Sequence, residues 1–568
     1  MTDKYKMAKE LADKIDFDII ETFKIGKNFK VEAGAGSGKT HSLMKVLSWI
    51  KDNCYSDFVK KGQKIACITY TNAAVNVISE RLGEESFIVP STIHSFAWEV
   101  IKKYQDELIK YILENNIFPK DFNPEKDLIN KVCYDLGIKY FADGILYLFH
   151  NDVLELFSHM LDINKFRTLL ASQYPVIFID EYQDSNEKII RKFIKYFIEQ
   201  KAIPSIQFGF FGDSWQTIYK TNNAVGNIFS ENIVNINKKV NFRSSPEIIK
   251  CLNNIRPDLK QESALEEGNG IVRVVHCNDY DGVRRVDRNF IGDLPSSEIK
   301  IRLDKIIDTL GNVKSTKVLM LTHKILASQQ DYSDIYEKFG SSFKDNDDEL
   351  IEFVCNVLCP IVDSLKNNDA KKLFETLGST RPPVLSQKHK LMWKDLNKKL
   401  QDNIGNNIVE MIKIIYESKL VPMSDEIINI YQNMLNNPLD KYNNKSTYYD
   451  ISQIKYSEFE KLASFLNPDS IFSTDHGVKG EEYDNVIFVI GKGWNLYDFE
   501  KVLPMNDIAQ KQNIDAYERT RNLFYVGCSR PRKKLILLIT CELKGDFYKY
   551  LSSIFGENNI LSYSEYII

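Results

Sequence analysis

The run Gly34-Ala35-Gly36-Ser37-Gly38-Lys39-Thr40 follows a short β-like stretch, NFKVE, and opens a helical pattern, SLMKVLSWI. Glycines let a backbone curl until successive N–H groups face an anion. A helix N-terminus behind them adds partial positive charge. In a phosphate loop of this kind the lysine, Lys39, reaches the β- and γ-phosphates of a nucleoside triphosphate, and the hydroxyl of Thr40 ligates Mg2+. Without a strand before it and a helix after it, the motif would be an ordinary Gly-rich turn; here both flanks are present.

A second stretch, FIDEYQDS (178–185), sets an apolar run against adjacent carboxylates. Isolated charge is costly at the end of a buried strand, so Asp180 and Glu181 call for a job or a partner. Beside a phosphate loop, Asp180 is placed to hold Mg2+ through water opposite Thr40. Glu181, one step on, is the candidate general base for the water that attacks the γ-phosphate. The cation and Lys39 compensate the two acids.

Elements must position these groups. KIACITYT, YPVIFIDE and SIQFGFFGD are short, rich in β-branched and aromatic residues, and end in polar turns. They alternate with helical patterns, which predicts an α/β fold with a parallel sheet. Residues 97–168, as in AWEVIKKYQDELIKYIL, space their apolar residues near 3.6 and read as a helical insertion. A second strand-rich set, GIVRVVHC, KVLMLTH, NVIFVIG and KLILLIT, is split by another helical interval over 341–457. That interval carries a basic stretch, KHKLMWKDLNKK, which reads best as a solvated helix face.

A chain of 568 residues exceeds what one core usually serves. Its net charge of −4 argues against a tail-driven nucleic-acid binder but allows a local basic groove. The N-terminal residues contain no apolar h-region, so no signal peptide is read, and no apolar run approaches a membrane span. Nine cysteines scattered without a framework suit a reducing cytoplasm. Cys355 and Cys359 share one face of an apolar helix pattern; zinc would need two more nearby ligands.

With these residues in view, DEYQDS resembles motif II of the UvrD/Rep/PcrA-type superfamily 1 DNA helicases. The likeness continues in order along the chain. GAGSGKT is similar to motif I, TYTNAAV (69–75) to motif Ia, and STIHSF (91–96) to the short motif before the first insert. GDSWQTIY (212–219) resembles motif III, NFRSS (241–245) motif IV, STDHGVKGEEYDNV (473–486) motif V, and RNLFYVGCSRPRKKL (521–535) motif VI. Eight collinear matches span nearly the whole chain.

The resemblance implies two RecA-like P-loop domains, each a parallel sheet flanked by helices and each with a helical insertion. Domain 1A would be 1–96 with 169–230, insert 1B 97–168, domain 2A 231–340 with 458–568, and insert 2B 341–457. It implies that ATP and Mg2+ are clamped between 1A and 2A, and that hydrolysis drives 3′ to 5′ movement on single-stranded DNA. Gln216 matches the glutamine that senses the γ-phosphate, and Arg243 and Arg530 the two arginines aimed at it. Phe242 matches an aromatic that stacks on adenine, and Glu482 a glutamate near the ribose. For single strands and duplex junctions, Tyr70 and Tyr219 match base-stacking aromatics, while Thr71, His94, Ser95 and His476 match backbone contacts.

The chain also departs from the pattern. The family's adenine-reading glutamine precedes motif I, whereas the first glutamine here is Gln63. Thr221 stands where many relatives have a tryptophan. Pro531 follows Arg530 and disfavours helix at its predecessor, which predicts an early end to the motif VI helix. The inserts are short, so translocation is read more firmly than unwinding. The alternative reading is a DNA-sensing ATPase that gates a partner nuclease, as in the compact helicase subunit of Gabija-type antiphage systems. No carboxylate–lysine nuclease cluster follows motif VI.

Overall fold

The computed structural model describes residues 3–83, 87–119, 122–124, 126–134, 139–200, 204–217, 224–266, 270–287, 290–311, 313–320, 323–339, 348–378, 386–435, 448–467, 470–474, 480–492 and 497–568. The early β-rich runs become strands β1 (Asn28–Ala33), β2 (Ile65–Thr69), β3 (Ile88–Thr92), β7 (Val176–Asp180), β8 (Gln207–Gly212) and β9 (Ile233–Lys238). They form one sheet in the order β3-β2-β7-β8-β1-β9, with every pairing parallel.

Alternate residues of each strand feed opposite cores, as a doubly covered parallel sheet requires. Ile65, Cys67, Phe178 and Phe211 join Leu43 and Leu47 of the helix Lys39–Lys60 on one face. Ala66, Ile68, Ile177, Ile179, Phe208 and Phe210 face the other side. The chain crosses this sheet so that the phosphate loop, Tyr70, Asp180 and Asp213 all follow the carboxyl ends of parallel strands, where such sheets collect their sites.

The insert over 97–168 differs from a purely helical one. Between its helices lie β4 (Lys131–Tyr134), β5 (Tyr140–Ala142) and β6 (Ile145–Leu148), ordered β4-β6-β5. The β5–β6 hairpin turns on Asp143 and Gly144, at φ 51° and 76°, the pair of positive angles that a tight hairpin demands. Strands of three or four residues are too short for a period-two pattern to stand out. Val132, Leu146 and Leu148 face the same core as Ile177 and Phe208, so the insert is packed onto the sheet and is not a separate body.

Two compact units result: Met1–Val272 with Leu496–Leu535 and Gly545–Glu557, and Arg273–Asn495 with Ile536–Lys544 and Asn558–Ile568. The first therefore holds segments that the sequence reading assigns to domain 2A, among them 231–272. The physical reason is local: β9 pairs with β1 along its full length, and the short strand β10 (Val240–Asn241) leads directly into contacts with the phosphate loop.

In the second unit β12 (Ile271–His276), β13 (Thr316–Met320), β14 (Phe472–Thr474), β15 (Tyr483–Ile490), β16 (Pro531–Ile539) and β17 (Ile560–Ser562) form a sheet ordered β14-β13-β15-β16-β12-β17. The helices between Glu349 and Leu466 enclose their own apolar core, to which Cys355 and Cys359 belong. Burial pushes both thiols up, that of Cys355 to about 12, so they behave as apolar groups. Among the described residues, no cluster of three or more His, Cys, Asp or Glu is placed to hold a metal, and no helix is long and apolar enough to cross a membrane. The architecture is α/β, with parallel sheets flanked by helices and two RecA-like domains.

Candidate nucleotide site

The phosphate loop leaves β1 at Ala33 and enters the helix at Lys39. Gly34 O accepts from Ser37 N (3.2 Å) and Ser37 Oγ (2.7 Å), which closes the turn. Gly36 and Gly38 sit at φ 73° and 74°, a conformation that costs other residues roughly 1–2 kcal/mol. Neighbouring segments grip the loop from outside. Asn241 Nδ2 and Gln261 Nε2 donate to Ala35 O (2.6 and 3.2 Å), Phe242 N donates to Gly36 O (2.9 Å), and Ala35 N donates to the Tyr525 hydroxyl (3.2 Å).

The grip leaves no room for a side chain at Gly36. A Cβ on Gly36 would lie 2.7 Å from Arg243 Cβ and 2.8 Å from Asn241 Oδ1. We expect Gly36→Ala to weaken binding of a non-hydrolysable ATP analogue by at least about tenfold, since strain of about 1.4 kcal/mol alone is that large. Calorimetric titration would read it, and unchanged affinity would mean the loop relaxes freely.

Glu181 takes φ 51°, ψ 44°, a left-handed conformation unusual for a residue with a side chain and a recurrent form of stored strain at functional positions. Its Oε2 lies 2.8 Å from Lys39 Nζ, and its N–H donates to Asp180 Oδ1 (3.0 Å). Burial works against the Lys39 charge, but Glu181, Asp180 and Asp213 outweigh it and raise the ammonium's pKa. Gln183 explains why Gln-Asp follows the two acids. Its Nε2 donates to Glu181 Oε2 (2.5 Å) and Asp184 Oδ2 (3.2 Å), while its Oε1 accepts from Asp213 N (3.1 Å), so one amide ties the acidic turn to the strand end beside it.

The motif VI helix, Ile514–Cys528, stops two residues short of Arg530, and Pro531 begins β16. The guanidinium then folds back on its own helix. Nε donates to Val526 O (3.1 Å), and Nη2 donates to Ser529 Oγ (2.9 Å) and Gln216 Oε1 (3.1 Å). Arg530 is 1% exposed, and burial followed by the neighbouring Arg243 pushes its pKa down to about 9. Arg243 Nη1 donates to Ser529 O (3.2 Å). Two cations in one buried corner beside a phosphate loop form a place that favours an anion.

The structure thus brings Gly34–Thr40, Asp180, Glu181, Gln216, Arg243 and Arg530 into one unit. Phe242 is half-buried, its ring edge-on to Tyr5 at 5.9 Å. Tyr70 is 42% exposed just beyond β2, and Thr71 caps the next helix by accepting from Ala74 N (3.2 Å). Ser95 is exposed, whereas His94 is half-buried against His150 at 5.0 Å between ring centres. Burial, with His150, lowers the His94 pKa to about 4, so it is neutral at physiological pH. Glu482 belongs to the other unit, exposed ahead of β15. Tyr219, Thr221 and His476 lie outside the described residues. Sequence reasoning missed Gln183, Asn241, Gln261 and Tyr525; the first two and Tyr525 lie inside quoted motifs, while Gln261 carries no pattern.

The donor set fits Mg2+. Such an ion usually takes one or two carboxylates, substrate phosphate and water, and here Asp180 is 5% exposed while Thr40 opens the helix beside it. Bound there with ATP, the ion would neutralise charge on the phosphates; Asp180 and Thr40 would hold it.

The fold and this site define a P-loop protein with an α/β sheet architecture, and its sequence is similar to that of Rep-type helicases. A family model described as "AAA domain" matches residues 18–222. The chain is a homologue of Gabija and Rep-type proteins. It is 26% identical to the Gabija protein GajB of Bacillus cereus (strain HuB5-5) over 92% of this chain and 94% of that protein. It is 25% identical to GajB of B. cereus (strain VD045), over 95% and 99%. It is also 23% identical to the ATP-dependent DNA helicase Rep of Buchnera aphidicola subsp. Schizaphis graminum, over 89% of each.

Proposed function

We propose that this chain is a DNA-dependent ATPase that moves 3′ to 5′ along single-stranded DNA and separates strands at duplex junctions. The observation that carries the reading is the buried pair Arg530–Gln216 with Arg243 alongside, in the unit that holds Lys39 and Glu181. In this reading Lys39 and the loop N–H groups hold the β- and γ-phosphates. Glu181 takes a proton from the attacking water, and the two arginines stabilise charge in the transition state. The division into 1A, 1B, 2A and 2B is part of the same proposal.

The direct test is ATP turnover with and without single-stranded DNA, followed by strand displacement on duplexes tailed at either end. Stimulation by DNA with displacement only from a 3′ tail is expected. Turnover indifferent to DNA would sink the motor reading. If Tyr70, Thr71, His94 and Ser95 lie on the strand's path, affinity falls with salt at a log–log slope of about −0.7 per neutralised phosphate. A flat response would contradict a phosphate-tracking surface.

A second reading has the chain sensing DNA and regulating a partner nuclease in phage defence, with little unwinding of its own. The two GajB proteins, matched end to end, favour it. DNA-stimulated turnover without strand displacement, and co-purification with a nuclease, would select it. Since no glutamine precedes the phosphate loop, GTP should compete with ATP for turnover; strict selectivity would mean that other residues read the base.

A further inference from the structure

Behind the phosphate loop lies a chain of buried polar groups, two of which, Arg256 and Glu32, belong to none of the matched motifs. Arg256, 2% exposed, follows the helix Pro246–Ile255. Its Nη1 donates to Asp213 Oδ1, and its Nη2 donates to Glu32 Oε1 (2.8 Å). Glu32 stands on β1, two residues before Gly34. It also accepts from Ser214 N and Oγ (2.9 and 2.7 Å) and from the Tyr182 hydroxyl (2.7 Å). Asp213 Oδ2 accepts from Gln216 Nε2 (2.8 Å), and Gln216 Oε1 accepts from Arg530.

A glutamine amide has a donor end and an acceptor end of nearly equal shape. Gln216 serves Arg530 only with its oxygen forward; turned over, two donors would meet. Asp213 decides the direction, because a carboxylate accepts and does not donate. Arg256 Nη1 and Trp215 N (3.1 Å) both donate to Oδ1, which leaves Oδ2 for the amide. A planar fork spanning two carboxylates is a task for arginine, not for the point charge of lysine. Trp215 and Tyr525 flank the guanidinium, 5.4 and 5.6 Å from ring centre to Cζ. Burial opposes the charge, but Asp213, Tyr525 and Glu32 hold it firmly protonated.

We infer that Arg256 is a positioning residue: by fixing Asp213 it sets the orientation of the Gln216 amide, and through it the Arg530 guanidinium. The inference rests on the reading that Gln216 and Arg530 serve ATP hydrolysis.

The test is a double-mutant cycle on the full-length chain, reading DNA-stimulated kcat, KM for ATP and thermal midpoint. Arg256→Lys should lower kcat by about 10- to 100-fold with KM changed less than about threefold, the mark of a group acting in the transition state. In a Gln216→Ala background the same substitution should cost nothing further, because Arg256 acts through Gln216. Asp213→Asn, which keeps the shape but lets the amide turn, should show the same loss and the same masking, and it serves where loss of the Arg256 fork unfolds the chain. Effects that multiply with Gln216→Ala, or a lowered midpoint with normal kcat, would reduce Arg256 to a packing role. If Gln216→Ala itself turned over normally, the hydrolysis role of Gln216 would fall with the inference. If Gln216→Ala is slow and both Arg256→Lys and Asp213→Asn are normal, only the inference falls.

Discussion

Glu181→Gln should keep nucleotide binding and lose turnover by about 10²- to 10⁴-fold, the range a positioned general base contributes. The substitution preserves size and the hydrogen bond to Gln183, but removes the acceptor charge that takes the water's proton. Lys39 loses its partner at 2.8 Å yet keeps Asp180 nearby, so the phosphate loop stays charged and competent to bind. The backbone at φ 51° is set by the turn around it, with Asp184 N on Glu181 O (3.0 Å), and is expected to persist in the variant. Single-turnover hydrolysis and analogue titration separate the two effects. Turnover like that of the parent protein would remove Glu181 from the base role and reopen the choice of acid.

Arg530→Met should lower kcat by about 10³-fold or more, as for removal of an arginine finger. Stability should be unchanged or raised, because methionine fills a similar volume and removes a buried cation beside Arg243. Because the folded chain holds this proton less tightly than the unfolded one, the charge is a destabilising contribution that is full at neutral pH and begins to shrink only above about pH 9. An incoming γ-phosphate should relieve the same strain. A non-hydrolysable analogue with Mg2+ should therefore raise the melting midpoint more in the parent protein than in Arg530→Met. Equal shifts with normal kcat would show that Arg530 does not meet the nucleotide.

Much of the candidate nucleotide site was legible because the chemistry proposed for it is written in short contiguous runs. GAGSGKT needs glycines at positive φ ahead of a helix, and DEYQDS ends a buried strand; neither depends on distant residues to be recognised. Other features were illegible for physical reasons. The β4–β6 sheet is built of strands too short to show period two, although the Asp143-Gly144 turn was a readable sign. Pro531 was expected to end the motif VI helix early, and it does; where the arginine would then point was not readable. Its fold-back onto Val526 O is local, but the contact with Gln216 Oε1 joins residues 314 positions apart.

By itself the sequence determined the strand-loop-helix phosphate cradle, the paired acids, the α/β alternation and the order of the motifs, since each rests on local backbone geometry or on side-chain periodicity. Tertiary structure alone decided which groups share a low-dielectric corner: Gln183 bridging two strand ends, Asn241, Gln261 and Tyr525 gripping the loop, and Arg256 joining Glu32 to Asp213. Those pairings span up to 490 positions, as between Ala35 and Tyr525. Burial makes such contacts strong, and burial belongs to the folded chain, not to any stretch of it.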